Sequence, residues 1–338
     1  MNAPLRLFAL VLVALLALCG ARHAHAATTC TASMTNVAFG AVDPTGTLVD
    51  ATATLTYQCT FSGVLSGLLG DYITMCFNIG TGTGGTGAAP RTMRDTAGDT
   101  MNYQLYTDAA RSLVWGSSSV PGTSTLQTTL HFQILSSGTS RGGTLTLYGR
   151  VPAGQTALVV GTYGSSFSGG DAQMNYAYNE ALLDIGNYPA TCTSGGSGSG
   201  TTTYPFSVGA SVAPRCQLAT ASDMNFGSPA SNFGGNIDQT SGISMTCTSG
   251  TAWQIGLDNG QNALAGARRM LGGGNTVVYE LYRNNGRTLR WGNTLNSDTL
   301  SGSGSGNTQT LSVYGRVAPQ AGIAAGSYSD KITVTITY

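Results

Sequence analysis

A long internal duplication constrains this chain more than any other feature. The same motifs recur in the same order over residues 30–178 and again over 216–338. Each copy opens on a cysteine and an Asn-Phe-Gly element: Asn36, Phe39 and Gly40 in the first, Asn225, Phe226 and Gly227 in the second. A strand-ending cysteine follows, at Cys59 and Cys247, then Arg91-Thr-Met93 and Arg269-Met270. Next come Tyr103-Gln-Leu-Tyr106 and Tyr279-Glu-Leu-Tyr282, then Trp115-Gly116 and Trp291-Gly292. Both copies close on Tyr-Gly-Arg-Val, ending at Val151 and Val317, with a Gly-x-Tyr and an alternating tail behind it. A unit of this length is a duplicated domain and not a solenoid repeat. Common architecture follows from what the copies share, and any difference in function from where they diverge.

Residues 1–26 carry Arg6, an apolar run over 7–18, and Ala24-His25-Ala26, a small-x-small cleavage signal. This reads as a secretory signal peptide removed after Ala26, since the run is too short to cross a bilayer comfortably. Cys19 follows Leu18 where lipidation needs a small residue, so a lipoprotein anchor is not expected. No later stretch approaches a membrane span. Arg6 and Arg22 are the only charged residues of the leader, which leaves two more acidic than basic side chains in the mature chain. That balance excludes the basic footprint of a nucleic-acid binder.

Six cysteines remain after the leader, an even number that favours disulfides in an exported protein. Cys30 with Cys59 and Cys216 with Cys247 occupy equivalent places in the two copies, so each pair is expected to close within its own domain. Cys76 and Cys192 have no counterparts in the second copy and are left to each other, tying an added segment to the first domain. No Cys-x-x-Cys is present, so zinc has no support, and no metal or cofactor is expected.

Strands are plain in the sequence. Period-two alternation runs through 51–57, 144–148, 310–314 and 332–338. Turn signals separate them at Asp258-Asn-Gly260, Gly272-Gly-Gly274 and Asn284-Asn-Gly286. No convincing amphipathic helix is present. The fold class is therefore all-β, with two β-sandwich domains. The domain boundaries fall at 27–192 and 204–338, and the Gly/Ser/Thr stretch 193–203 reads as a flexible linker.

In these motifs the chain resembles the spore coat protein U domain family, most closely in its second copy, where Gly326-Ser-Tyr-Ser-Asp330 precedes the last alternating strand. The first copy departs there, with Gly164-Ser-Ser-Phe after Gly161-Thr-Tyr163. The resemblance implies immunoglobulin-like sandwiches of the kind found in archaic chaperone–usher pili, where a pilin lacks its last strand and receives one from a neighbour. Two-domain members resemble tip adhesins. The implied partners are a periplasmic pilus chaperone, an outer-membrane usher and an adjacent pilin subunit. The implied location is the fimbrial tip, reached by secretion through the periplasm.

The residues themselves bear on that implication. Only Ala27, Thr28 and Thr29 would precede Cys30 after cleavage, too few to donate a strand, so the subunit is expected only to accept one. The acceptor edge is expected at Ile332, Val334, Ile336 and Tyr338, an open sheet edge that another chain could pair with. The competing reading is a complete sandwich ending in its natural last strand. Ahead of the second domain, Phe206, Val208, Ala210 and Val212 alternate. They are expected either to act as a donor strand in cis for the first domain or to form an ordinary interdomain strand.

Divergence between the copies points to a binding surface. Cys59 to Gly80 is 21 residues, against 13 from Cys247 to Gly260. The extra length carries Val64, Leu65, Leu68 and Leu69 between glycines. Leu158, Val159 and Val160 replace a milder segment of the second copy, and Val120 marks a third loop. Apolar residues on glycine-rich loop tips are unusual. They are expected either to form fingers that touch a hydrophobic or abiotic surface or to fold back onto a core. Catalysis has little support: His131 is the only histidine after the leader, and no Gly-x-Ser-x-Gly element exists. The reading is a pilus tip adhesin promoting attachment and biofilm formation, not an enzyme. The alternative is a structural spore- or cell-coat protein.

Overall fold

The computed structural model describes residues 27–62, 68–136, 138–229 and 234–338. In the first domain the strands are β1 (Ala27–Met34), β2 (Val37–Ala41), β3 (Val49–Ser62), β4 (Leu69–Ile79), β5 (Arg91–Arg94) and β6 (Thr100–Tyr106). They continue as β7 (Leu126–Phe132), β8 (Thr139–Val151), β9 (Gly161–Phe167), β10 (Ala172–Leu182), β11 (Gly198–Thr203) and β12 (Phe206–Val212). The second domain has β13 (Cys216–Ala221), β14 (Ile237–Cys247), β15 (Ala252–Leu257) and β16 (Arg268–Gly272). After these come β17 (Asn275–Tyr282), β18 (Leu300–Ser303), β19 (Thr308–Val317) and β20 (Val334–Thr337). A single 3₁₀ turn, Gly169–Asp171, is the helical structure among the described residues.

The first domain packs an eight-stranded sheet, β1-β3-β8-β6-β5-β9-β12-β2, on a four-stranded sheet, β11-β10-β4-β7. The second packs β13-β14-β19-β17-β16 on β18-β15-β20. Aligned through the shared motifs, the second domain repeats the first less β9, β12, β2 and β11. The chain segments corresponding to β2 and β9 are present in it, at 225–227 and 326–330, but are not strands. The bridge Leu271↔Ser329 stands where Arg94↔Gly164 joins β5 to β9. The alignment also matches Arg91 with Arg268, since both face the first tyrosine of the Tyr-x-Leu-Tyr motif across a hairpin.

Each core is built on the same parts. Trp115 and Trp291 are fully buried and donate their indole N–H to the carbonyls of Phe77 and Ile255, at 2.9 and 2.8 Å. Arg91 and Arg268 are also fully buried. Arg91 donates to the Gly80 carbonyl and to Gln104 Oε1, and burial pushes its guanidinium down to about 10. Arg268 donates to the carbonyls of Leu257, Asp258 and Trp291 and pairs with Glu280, which also holds Arg290 at 2.7 Å. Buried charges of this kind need partners for nearly every N–H; strand-end carbonyls and Glu280 supply them for Arg268, whereas Arg91 Nη2 is left without one.

Three disulfides close as the sequence indicates: Cys30–Cys59, Cys76–Cys192 and Cys216–Cys247. The expected flexible linker at 193–203 and the expected start of the second domain at 204 are both corrected, since 198–203 and 206–212 are strands of the first domain. Gly198–Thr203 is strand β11, paired along β10 from Tyr178↔Gly198 to Gln173↔Thr203. Its glycines leave room for the rings opposite, because a Cβ at Gly198 or Gly200 would run into the hydroxyl ends of Tyr178 or Tyr176. Aromatic cover over cross-strand glycines holds such a strand without apolar side chains of its own.

β12 lies antiparallel to β9 and parallel to β2. Phe206, Val208, Ala210 and Val212 all point into the core, none more than 6% exposed. Phe206 stacks 4.6 Å from Phe167 and 6.1 Å from Trp115. A carboxylate placed at this alternation should therefore be severe. We expect Val208→Asp to destabilise the first domain by more than about 3 kcal/mol. Ser211→Asp, on the outward face of the same strand, should cost within about 1 kcal/mol. Pulse proteolysis in urea, read on first-domain fragments, checks both.

Candidate functional sites: an open groove and an apolar end

Where β12 lies in the first domain, the second has a groove of about 550 Å³. Its walls include Met224 and Phe226 on one side, Tyr328, Ile332 and Val334 on the other, and Met270 and Val313 on its floor. The residues matched to these in the first domain are covered. Phe39, Met93 and Tyr163 are 6%, 0% and 0% exposed, whereas Phe226, Met270 and Tyr328 are only partly buried. The two copies thus differ in whether a strand fills one slot.

The edge residues behave accordingly. β20 pairs on one side only, with β15 from Gln254↔Thr337 to Leu257↔Val334. Its counterpart β10 is paired on both sides, with β4 and β11. Ile332 and Val334 line the groove, Ile336 packs on the core from the same face, and Tyr338 is exposed. The polar frame of the groove is set: Tyr279 donates to Asp330 Oδ2 at 2.8 Å, and Asn262 donates to Asp330 Oδ1 at 3.1 Å. Burial and the neighbouring Asp330 carboxylate push the Tyr279 phenol far up.

The second candidate site is the end of the first domain farthest from the second. β12 leaves at Val212 for the second domain beside Gly161, and from Gly161 the chain runs outward through β9 and β10 to Leu182. Three connections meet at that outer end, because Leu182 pairs with Leu69 and Asp71 with Phe132. They are β3–β4, β7–β8 and β10–β11. Leu68, Ile134, Leu135, Leu182, Leu183 and Ile185 are all exposed there, Leu135 at 80% and Ile185 at 81%. Leu135 and Leu183 take left-handed backbone angles, φ 67° and 56°, where an exposed leucine serves stability less well than glycine or asparagine.

The last of these loops is pinned from below. His131 Nε2 lies 2.6 Å from Asp184 Oδ1, the Tyr72 hydroxyl donates to the Asp184 carbonyl at 2.8 Å, and Tyr72 stacks on the imidazole. Thr74 donates to the Pro189 carbonyl, and Cys192 is bonded to Cys76 on the same strand. The disulfide peculiar to the first copy thus staples the return of this loop to the sheet.

The sequence-selected surface residues scatter. Val64 and Leu65 lie outside the described residues. Leu68 is exposed at the outer end, and Leu69 is half-buried against the core. Val120 is half-buried in a turn whose base, Gly116, accepts from Ile79 N–H at the opposite end of β4 from Leu69. Leu158 is corrected outright: it is 4% exposed and part of the core. Val159 bridges to Ser249, and Val160 N–H donates to the Ser249 carbonyl, so this segment abuts the second domain and is no free finger. Ile134, Leu135, Leu182, Leu183 and Ile185 were not selected from sequence. The signal was there in apolar pairs that overrun the ends of alternating strands next to Ser and Gly.

The model of the Spore Coat Protein U domain family matches residues 15–168 and 202–335. The chain belongs to this family. No curated protein matches it. Among solved structures it is similar to the CsuC–CsuE chaperone–tip adhesion subunit pre-assembly complex from archaic chaperone–usher Csu pili of Acinetobacter baumannii, with 16% identity, a TM-score of 0.49, and 92% of this chain and 100% of that chain covered. It is also similar to the CupB6 tip adhesin of Pseudomonas aeruginosa, with 13% identity, a TM-score of 0.37, and 93% and 95% covered.

Hydrogen exchange reads the groove directly. Amides of 224–227 and 326–332 should exchange about a hundredfold faster than those of the matched 37–41 and 161–167, since strand bonding across the slot is what protects the latter. Equal protection in the two domains would contradict an open slot.

Proposed function

We propose that the chain is a pilus tip adhesin whose first domain binds nonpolar surfaces and whose second domain accepts a strand from another protein. The observation that carries this is the pair of matched slots. One is filled by the chain's own β12, and the other is open between 224–227 and 328–334. A groove floored by apolar side chains and walled by an unpaired sheet edge suits an extended peptide, which adds main-chain bonds and places alternate side chains in pockets. A chaperone would occupy it first and an adjacent pilin later, with the usher exchanging them. In the first domain, 198–212 does this work in cis: β11 covers the edge of β10, and β12 fills the core. With its own slot filled, the first domain is left free for contact.

The exposed leucines and isoleucines of the outer end supply that contact. Burying one such side chain is worth roughly 1.5–3 kcal/mol, and many fibres add avidity. Attachment and biofilm formation would follow, at the tip of a fibre exported through the periplasm. The coat-protein alternative does not account for two exposed leucines held in left-handed turns among the apolar side chains of the outer end.

The test is attachment of piliated cells to polystyrene. Leu135→Ser, Leu183→Ser and Ile185→Ser together should lower it more than about tenfold with pilus number unchanged, and salt should matter little because screening acts on charges. By contrast, Leu158→Ala should lower stability by about 2–5 kcal/mol without removing the contact surface. Wild-type attachment by the triple variant on normally assembled pili would overturn the assignment of the outer end.

A further inference from the structure

Beneath the outer loops two carboxylates face each other inside the first domain. Asp71 on β4 and Glu180 on β10 are directly opposed in register, so their side chains leave the same face within reach of one another. Asp71 is fully buried. Its Oδ2 accepts from the Thr28 hydroxyl, while its Oδ1 and Glu180 Oε1 are buried with no hydrogen-bond partner. Among the described residues no arginine or lysine is paired with either group. The other titratable groups around them are His131 on β7, engaged with Asp184, and Tyr176 and Tyr178 on β10. A buried acid beside a half-buried one is costly unless a cation joins them or a proton stays on. Burial raises Asp71 to about 6 against the lowering pull of the Thr28 hydroxyl, and burial together with the Asp71 carboxylate raises Glu180 to about 7.

Strand β1 begins at this place. Thr28 is 4% exposed, and the Tyr176 hydroxyl reaches its carbonyl at 3.5 Å. Ala27 pairs with Ser62 at the end of β3. The backbone nitrogen of Ala27 is therefore one residue from the hydroxyl that holds Asp71. In the full-length chain this nitrogen belongs to a neutral amide. Cleavage after Ala26 would convert it to an ammonium group, with three donors and a positive charge.

We propose that Asp71 and Glu180 form a binding site for the chain's own α-ammonium group at Ala27, filled when the leader is removed. The inference rests on reading residues 1–26 as a leader cut after Ala26. The ammonium donates to Asp71 Oδ1 and Glu180 Oε1, the two oxygens left over, with Thr28 keeping Oδ2. In the uncut chain the Ala27 nitrogen carries no charge, so docking of β1 under the outer loops is completed only in the processed protein. Maturation and the shape of the contact surface are thereby linked.

The experiment uses the full chain recovered from the periplasm with its chaperone. Intact mass establishes whether it starts at Ala27; another start overturns the proposal. Brief acylation at a series of pH values then reads the Ala27 amine by peptide mass, with Lys331, the only lysine, as the internal reference. An ordinary α-amino group titrates near 7.7–8.0, and each unit of upward shift lowers its reactivity at pH 7 about tenfold. The expected result is labelling at Ala27 at least tenfold slower in the parent than in the Asp71→Asn, Glu180→Gln double variant. One glycine inserted before Ala27, with both acids intact, should restore fast labelling and lower the melting temperature. Equal labelling in parent and variants, with a pH profile centred near 8, would mean that the acids share a proton instead and would overturn the proposal.

Discussion

Everything distinctive in this molecule depends on one strand, β12, and on the two neighbours it joins. It bonds to β9 on one side and to β2 on the other while four alternate side chains complete the core. The second copy has the sequence counterparts of both neighbours but no strand between them, and there they are irregular chain. A strand edge is ordered by its partner. Removing one strand therefore removes three from the sheet, and the apolar floor beneath is left open. The physical difference between the filled and the open slot is that small.

The filled slot also fixes the end at which the second domain attaches. Only 213–215 separate β12 from β13, and the 155–160 turn meets Ser249, so the second domain attaches at the end where β12 emerges. The opposite end is free of that junction. Its loops are free to carry apolar side chains that a domain interface or a core would otherwise have absorbed. Their undersides are tied by His131, Tyr72 and the Cys76–Cys192 bond, so the exposed apolar side chains project from a fixed base.

Much of this was legible in the sequence. Duplication gave the two domains, equivalent positions gave the disulfide pairing, and period-two alternation located β3, β8, β19 and β12. The alternation at Phe206, Val208, Ala210 and Val212 was informative because all four side chains are buried. β11 was not legible, because an edge strand of Gly, Ser and Thr is held by backbone bonds and by rings from β10, which local composition does not reveal. The surface residues were half legible for a different reason. An apolar run such as Leu158-Val-Val160 looks the same whether it caps a core or meets solvent, and only register decides. Leu182, Leu183 and Ile185 read as the tail of a strand until β10 is seen to end at Leu182.

The most direct measurement of the central claim is thermal unfolding of the second domain with and without a donor strand fused through a flexible linker after Tyr338. The donor is the N-terminal extension of the adjacent pilin. If the slot between 224–227 and 328–334 is an acceptor, the fused protein is monomeric and melts in one cooperative transition. Replacing the donor's alternate apolar residues with serine then abolishes that transition, and the unfused domain aggregates or melts without cooperativity. An unfused domain that is soluble, monomeric and melts cooperatively at the same temperature as the fusion would contradict the account.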